Sequence, residues 1–335
     1  MTSERSWLRA DLHVHSYHSG YASHLRWLRT RDCYSDPDDV YRTARARGMD
    51  LVTLTDHDSI DGCLEFLSRH PGAQDFFISE EIECWFPGKP LRIHIGAYDI
   101  DESIHREVQR LRTNVYEVTA FLRQHDITFA LHHLLFFYQD QLPLEDYVSA
   151  LWPLFPAIEV RNGTMLPDHN QFVDEILREY AVRPGGSRTA VGGSDSHTLR
   201  GVGSTYTEAE GRTRREFLDS LRAGRTRTGG RHGGALRVSR EIYGVIWQYW
   251  RTLLGLGRQD LSWPRRTLGL AWSMASLPVE FLPLLIATID KKGEARRIAE
   301  CRRRWTSGSS GADRVVVADP APVERRHLAA GVDRS

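Results

Sequence analysis

The chain has 335 residues, enough to bury one large core or two modest ones. Lys plus Arg and Asp plus Glu both total 44, so no net basic field exists to hold a nucleic-acid backbone or an anionic bilayer by charge alone, and no stable nucleic-acid partner is expected. Cys33, Cys63, Cys84 and Cys301 form no Cys-x-x-Cys pair, and Met1-Thr2-Ser3-Glu4-Arg5 leads into no apolar signal core, which reads as a reduced, cytoplasmic protein.

In chain order, Leu8 to Val14 is a predicted strand, followed by a long polar and aromatic loop to Ser35 carrying Tyr17, Tyr21, Trp27 and Tyr34. A loop of that length suits a lid that sets specificity. Asp36-Pro37-Asp38-Asp39 then supplies an N-cap, a first-turn proline and early acids for a helix that ends at Gly48. Leu51 to Thr55 is β-branched and apolar, as a parallel strand covered on both faces should be, and it opens onto Asp56-His57-Asp58.

The same grammar recurs. Phe76 to Ser79 leads into Glu80-Glu81, Leu91 to Ile93 into His94, Ile127 to Leu131 into His132-His133, Ala157 to Val160 into Arg161-Asn162-Gly163, and Thr189 to Gly192 into Ser194-Asp195-Ser196-His197. Helical stretches from Glu102 to His125 and from Asp168 to Tyr180 lie between them. Strands alternating with helices imply a parallel sheet, and polar residues at successive strand ends imply a barrel-like cup.

After about Gly229 the character changes. Arg231-His232-Gly233-Gly234 reads as a linker, and residues 231–305 as a hydrophobic helical appendage to a domain spanning 1–230. Leu268 to Ile289 is mostly apolar but interrupted by Pro278, Glu280 and Pro283, which argues against a spanning helix. Trp247, Trp250 and Trp263 among Arg251, Arg258, Arg265 and Arg266 suit a headgroup zone, so residues 240–290 are also read as a peripheral membrane contact. The tail 306–335 is too rich in Gly, Ser, Ala, Pro and charge to be expected to fold.

His13-Val14-His15 on a strand puts two imidazoles on one face, where both can ligate one ion. A lone His-x-His says little. Its company says more, because Asp56-His57, Glu80-Glu81, His94, His132-His133 and Asp195-Ser196-His197 all fall at predicted strand ends. Imidazoles and carboxylates in that number exceed the needs of one four-coordinate ion, and without thiolates they fit Zn, Mn or Fe better than Ca or Mg. Neighbours on a strand face opposite ways, so the residues alone leave His132 or His133, and Glu80 or Glu81, open. Arg161, Arg188 and Arg200 flank these motifs and are candidate forks for a substrate phosphate. His70, His105, His125 and His169 are read as surface residues. Leu134-Leu135-Phe136-Phe137-Tyr138 reads either as a stacking platform or as core.

This motif series resembles the PHP (polymerase and histidinol phosphatase) domain family over roughly residues 7–230, through Asp11-Leu12-His13-Val14-His15-Ser16, Thr55-Asp56-His57, Glu81, His94, His133 and Ser194-Asp195-Ser196-His197. The resemblance implies an α/β fold, a distorted (β/α)7 TIM-like barrel, with two or three divalent ions in its cup and a small phosphorylated substrate whose ester is hydrolysed by hydroxide held between the metals. By position it implies that His13, His15, Glu81 and Asp195 hold a first ion. Glu81 would bridge to a second ion on His94 and His133, while His57 and His197 serve a third. His57, His197 and Asp195 are the expected catalytic set, with His57 or His197 donating a proton to the leaving oxygen where it is not a ligand. Many members follow the first motif with Ser-Asp-Gly, whose acid helps hold the third ion. This chain reads Ser19-Gly20, leaving His18, His24, Asp32 or Asp36 to replace that ligand. Two other functions compete: hydrolysis of a non-phosphate bond of the amidohydrolase type, and a metal-stabilised scaffold or binding module acting through the C-terminal hydrophobic region. The first would require a metal-bound lysine, and Lys89 stands alone in the barrel region.

Overall fold

A computed structural model describes residues 6–20, 31–89, 91–139, 142–257, 261–280 and 282–308. The first strand, β1 (Trp7–Ala10), is shorter than expected and pairs antiparallel with β7 (Thr205–Glu210), which pairs in turn with β8 (Thr226–Gly230). A second sheet runs in the order β2 (Ser79–Trp85), β3 (Arg92–Tyr98), β4 (Thr128–Leu131), β5 (Ala157–Asn162), β6 (Thr189–Gly193).

The expected all-parallel sheet is half right. β4, β5 and β6 are parallel, whereas β2 with β3 and β3 with β4 are antiparallel. Residues 86–91 are too few for a parallel crossover, which takes a dozen or more residues, so β2 and β3 can only form a hairpin. His94 accordingly lies within β3 and not at its end.

Residues 51–55 do not form a strand either. Thr55 hydrogen-bonds the Val14 backbone through its hydroxyl in both directions (2.9 and 3.1 Å), and Thr53 Oγ1 donates to the Phe77 carbonyl (2.7 Å). Side-chain hydroxyls thus replace part of the ladder. What remains are isolated parallel bridges, Ala10 to Leu51, Val52 to Phe76, His57 to Glu81 and Val14 to Ser196.

The helices start where capping chemistry dictates. Asp36 accepts from the Asp38 N–H ahead of α1 (Pro37–Ala46), with α2 (Asp61–Arg69) following. The stretch expected as one helix over 102–125 is two, α3 (Glu102–Leu111) capped by Asp101 and α4 (Val115–Gln124) capped by Asn114, because Asn114 turns its side chain to the Tyr116 N–H and restarts the helix. After α5 (Leu144–Leu151), α6 (Pro167–Ala181) and α7 (Arg214–Arg222) come three C-terminal helices, α8 (Ala235–Leu253), α9 (Trp263–Glu280) and α10 (Pro283–Gly308).

The main core joins β2 to β5 with α3 to α6, and the end of α10 enters it through Ile298, Cys301 and Trp305. Trp305 Nε1 donates to Glu179 Oε2 of α6 (2.6 Å), so helix continues past Thr306, where an unstructured tail was expected, while 309–335 lie outside the described residues. Among the described residues no single helix is long and apolar enough to cross a membrane. All four cysteines are buried free thiols.

Candidate metal centre

The end of β6 approaches the first histidine pair more closely than any side chain permits. A Cβ at Gly193 would stand 2.3 Å from His13 Cβ and 2.5 Å from its backbone nitrogen. The contact lets the Asp195 N–H donate to the His13 carbonyl (2.6 Å) and the His15 N–H to the Ser196 carbonyl (3.1 Å). Asp195 and His133 both sit at positive φ, +50° and +28°. A histidine there is strained, and such strain persists where surrounding structure over-determines it, commonly at working sites.

Glu81 is the hub of the resulting cluster and is fully buried. Its Oε1 lies 3.1 Å from His13 Nε2, 3.0 Å from His94 Nδ1 and 3.2 Å from His133 Nε2, and its Oε2 lies 2.8 Å from His57 Nδ1 and 3.7 Å from His15 Nε2. Asp195 Oδ1 is 3.5 Å from both His13 Nε2 and His15 Nε2. Four overlapping groups have donor atoms mutually close enough to hold an ion: His13, His15 and Glu81; His13, His133 and Asp195; His57, Glu81 and His94; and His15, His57 and His197. Every metal ligand expected from sequence therefore joins one assembly.

Both open choices resolve. Glu80 points away from the cup, accepting from His105 (2.9 Å) and Gln109 (2.9 Å) of α3, which leaves Glu81 inside. His133 belongs to a ligand group. His132 is buried behind it, its Nδ1 2.9 Å from Glu81 Oε1, its Nε2 3.0 Å from the Tyr98 hydroxyl, and its ring stacked on His13 at 3.9 Å. His132 is held from both ends and steers Glu81.

Of the replacements considered for the missing acid, Asp32 is the one that reaches the cup, 3.2 Å from His197 Nε2 and 3.5 Å from His57 Nε2. His18 is occupied by Glu65 (2.7 Å) and Asp36 caps α1. His24, Tyr21 and Trp27 lie outside the described residues.

Charge in the cup is mutually supporting. Burial opposes ionising Glu81, yet His13, His94 and His57 hold its carboxyl well below the usual range, and His13 and His15 do the same for Asp195. Burial likewise opposes protonating His197, but Asp32 and Asp195 raise it to about 9. His15, buried beside His197 and His57, is pushed well below its ordinary value.

The fit to a cation is tested by what hydrogen bonding leaves over. The buried nitrogens His13 Nε2, His15 Nε2 and His94 Nδ1, which face Glu81, find no hydrogen-bond partner, and neither does Glu81 Oε2. Buried polar atoms are rarely orphaned unless an ion or water completes them. The outer atoms are satisfied as ligating histidines require: His13 Nδ1 meets Glu159 Oε1 (3.0 Å) and His15 Nδ1 meets Ser19 Oγ (2.9 Å). Sequence reading missed Glu159, which sits mid-strand on β5 in an apolar run. An acid facing inward there was the available signal.

Of the three arginines proposed from sequence, two have backbone or imidazole partners and one is exposed. Arg161 hydrogen-bonds the Gly230 carbonyl and His232, Arg188 binds the carbonyls of Trp152, Gly185 and Ser187, and Arg200 is exposed. Arg237, which sequence reading passed over, comes from α8. It donates to Ser204 Oγ, its NH2 would stand 2.8 Å from a Cβ at Gly163, and its charge couples to Asp11, Glu241 and Asp195. Of the histidines expected at the surface, His169 is buried and His105 is partly covered. His105 binds buried Glu80, and His169 is buried against Glu294 of α10 (3.0 Å). The aromatic run divides: Leu134, Leu135 and Tyr138 are core, whereas Phe137 lies 4.7 Å from His94 and 5.6 Å from His133 with Phe136 exposed beside it.

An α/β chain with clustered imidazoles and carboxylates around a shared buried glutamate is a divalent-metal-binding protein by class. Residues 167–226 match the family model described as PHP-associated. The match takes in 60 of the chain's 335 residues and agrees with the resemblance that the motif order carries into that cup. An uncharacterized protein of Methanocaldococcus jannaschii is 33% identical over 58 residues, 17% of this chain and 33% of that protein, so the match spans a third of the relative's length. Among solved structures, PsfC of Pseudomonas syringae is 21% identical with a TM-score of 0.47, covering 67% of this chain and 92% of that one. A two-domain protein of Bacteroides vulgatus containing a predicted PHP-like metal-dependent phosphoesterase gives 17% identity and 0.45, over 72% and 71% of the two chains. The lesion-specific endonuclease EndoQ of Pyrococcus furiosus gives 15% and 0.44, over 67% and 58%.

Proposed function

We propose that the chain is a metal-dependent phosphoester hydrolase, acting on a small phosphomonoester or nucleotide-type substrate, with two or three divalent ions (Mn, Zn or Fe) in a distorted (β/α)7 cup. The observation that carries this is the buried Glu81, whose two oxygens face different sets of imidazoles: His13, His94 and His133 on one side, His57 and His15 on the other. A carboxylate shared in this way is what two adjacent ions need as a bridge. Support for the ring comes from the isolated bridges, which link residues 10–14 to 51–57, 51–57 to 76–81, and Ser196 back to Val14.

Divalent ions so held supply an activated water and neutralise phosphoryl oxygens. The chain's own residues divide the remaining work. Asp195 and Glu81 fix His13 and His15, while Asp32 completes a third group with His57 and His197 in place of the acid missing at Ser19-Gly20. Arg237, half-buried at the rim beside Gly163, offers a guanidinium fork to the substrate phosphate. Phe136, exposed beside His133, offers a face for an aromatic substrate group, while the neighbouring Phe137 lies under the Arg92 guanidinium at 4.3 Å. Lys89 is exposed in the β2–β3 turn, so it supplies no ligand for an amidohydrolase-type carbamate.

The test is phosphate release from a generic aryl phosphate and a nucleotide panel by protein loaded with Mn or Zn. His13→Ala and Asp195→Ala should each lose metal and turnover together. Silence of the wild-type protein on every substrate, or full activity in either variant, rejects the reading. Asp32→Asn should lower the metal-to-protein ratio while His13 and His15 keep theirs. An unchanged ratio removes Asp32 from the ligand set.

A further inference from the structure

Among the described residues, fifteen of the nineteen large hydrophobic side chains that remain exposed fall between residues 236 and 289. Single exposed apolar residues are ordinary, but contiguous apolar surface on this scale marks an interaction site.

On α8 the exposed positions are Leu236, Arg240, Tyr243, Trp247, Arg251 and Leu254, spaced by three or four residues and so forming one stripe along the helix. The opposite face is the docked one. Its Glu241 accepts hydrogen bonds from Ser196 Oγ (3.1 Å) and Thr198 Oγ1 (2.5 Å), and Leu253 is buried. α8 is therefore amphipathic in an inverted sense, with an aromatic and cationic stripe turned outward.

α9 goes further. From Leu268 to Pro278 it carries no charge, and Leu268, Trp272, Met274 and Leu277 are exposed around it while only Gly269 and Ser273 are covered in that stretch. A helix that is apolar nearly all round belongs in an apolar medium. α10 continues the surface with Leu284, Leu285, Ile286 and Ile289, the two helices meeting at a 70° bend.

Charge selects the occupant. Exposed cations punctuate the surface at Arg240, Arg251 and Arg265, while Glu241, the sole acid among the described side chains from 236 to 289, is buried against the Ser196 loop. Trp beside Arg, with apolar residues beyond and six arginines against three acids between 236 and 289, is the composition of a helix lying at the level of anionic headgroups.

We propose that residues 236–289 dock the protein on an anionic bilayer surface, with the bent α9–α10 hairpin sunk into the acyl boundary and the outer stripe of α8 at headgroup level. This does not depend on the reaction the metal cup performs.

The experiment is flotation of the full-length protein with phosphatidylcholine vesicles and with vesicles carrying one-third phosphatidylglycerol. Co-flotation with the anionic vesicles, with at least about tenfold weaker recovery on the neutral ones, is expected. Two variants test the two halves of the surface. Arg240→Glu combined with Arg251→Glu and Arg265→Glu should lose most of the anionic preference. Trp263→Ser combined with Leu268→Ser and Met274→Ser should abolish flotation, and should also remove a blue shift of tryptophan emission on vesicle addition. All these side chains are exposed, and an unchanged melting temperature certifies each fold. Protein left in the soluble fraction with both vesicle types overturns the proposal, and a dimer on light scattering would then assign the surface to a second copy. Equal recovery on neutral and anionic vesicles overturns it as well, as does undiminished flotation of either variant.

Discussion

Glu159 shows how a residue that touches no ion can set one. Its Oε1 holds His13 Nδ1 at 3.0 Å, and its Oε2 accepts from the His133 N–H (2.9 Å) and from Asn162 Nδ2 (3.0 Å). One carboxylate thus orients two of the histidines that face Glu81 Oε1. Carboxylates behind ligating histidines raise ligand basicity, and their loss costs roughly tenfold to a hundredfold in metal affinity. Glu159→Gln should bind Mn or Zn weaker by about that factor, measured by competition with a chromogenic chelator, while His13→Ala binds far worse. Equal affinity of Glu159→Gln and wild type would deny it the role. Residue types and spacing were enough to find the ligands, because His-x-His and acid–His pairs carry their chemistry locally. Glu159 and His132 were not legible in the same way, since their importance comes from His13, Glu81 and Tyr98, which only folding brings within reach.

At the scale of elements, the sequence reading found runs at or near β1 to β6 and helices at α1, α3–α4 and α6, but it left α2, α5, α7, β7 and β8 unnamed and missed the direction of pairing. Apolar runs ending in polar residues look alike whether the next strand returns beside them or crosses over. Only the short 86–91 connection carried the information that β2 and β3 form a hairpin. The surface assignment of His169 failed for a related reason, because its partner is 125 residues away. There Glu294 of α10 accepts from the Leu166 N–H at the start of α6 (2.8 Å) and from Lys291 (2.6 Å) besides meeting His169. Burial alone would raise the Glu294 carboxyl, but His169 and Lys291 outweigh it and bring it down to about 2 from an ordinary 4.5. A depressed acid stabilises the fold above its unfolded value and loses that contribution as pH falls through the folded one. Glu294→Gln should therefore melt lower than wild type at neutral pH, by on the order of 2–3 kcal/mol. The difference should shrink as pH falls from about 4.5 toward about 2. A gap independent of pH over that interval would show that the carboxylate charge does not clamp α10 to α6.

For the whole molecule, the cup concentrates three acids, Glu81, Glu159 and Asp195, among seven close-packed histidines. A ligand that binds only the folded form stabilises it by mass action, amounting to about 2.7 kcal/mol at a hundred times its dissociation constant. Chelation followed by re-addition of Mn or Zn should lower and then restore the melting temperature by several degrees, and His13→Ala should show neither change. Invariance in the wild type would mean the cup gains nothing from an ion.

The hold of Glu241 on Ser196 and Thr198 also bears on how this protein can be divided. The sequence changes character near Gly229, and the natural place to cut would be the glycines before α8. A fragment ending there would leave the Thr198 hydroxyl without its acceptor, would take one of two acceptors from Ser196 Oγ and would remove Arg237 from beside Gly163. The smallest unit that keeps these contacts therefore includes α8, and reuse of this cup elsewhere would require carrying α8 along with it.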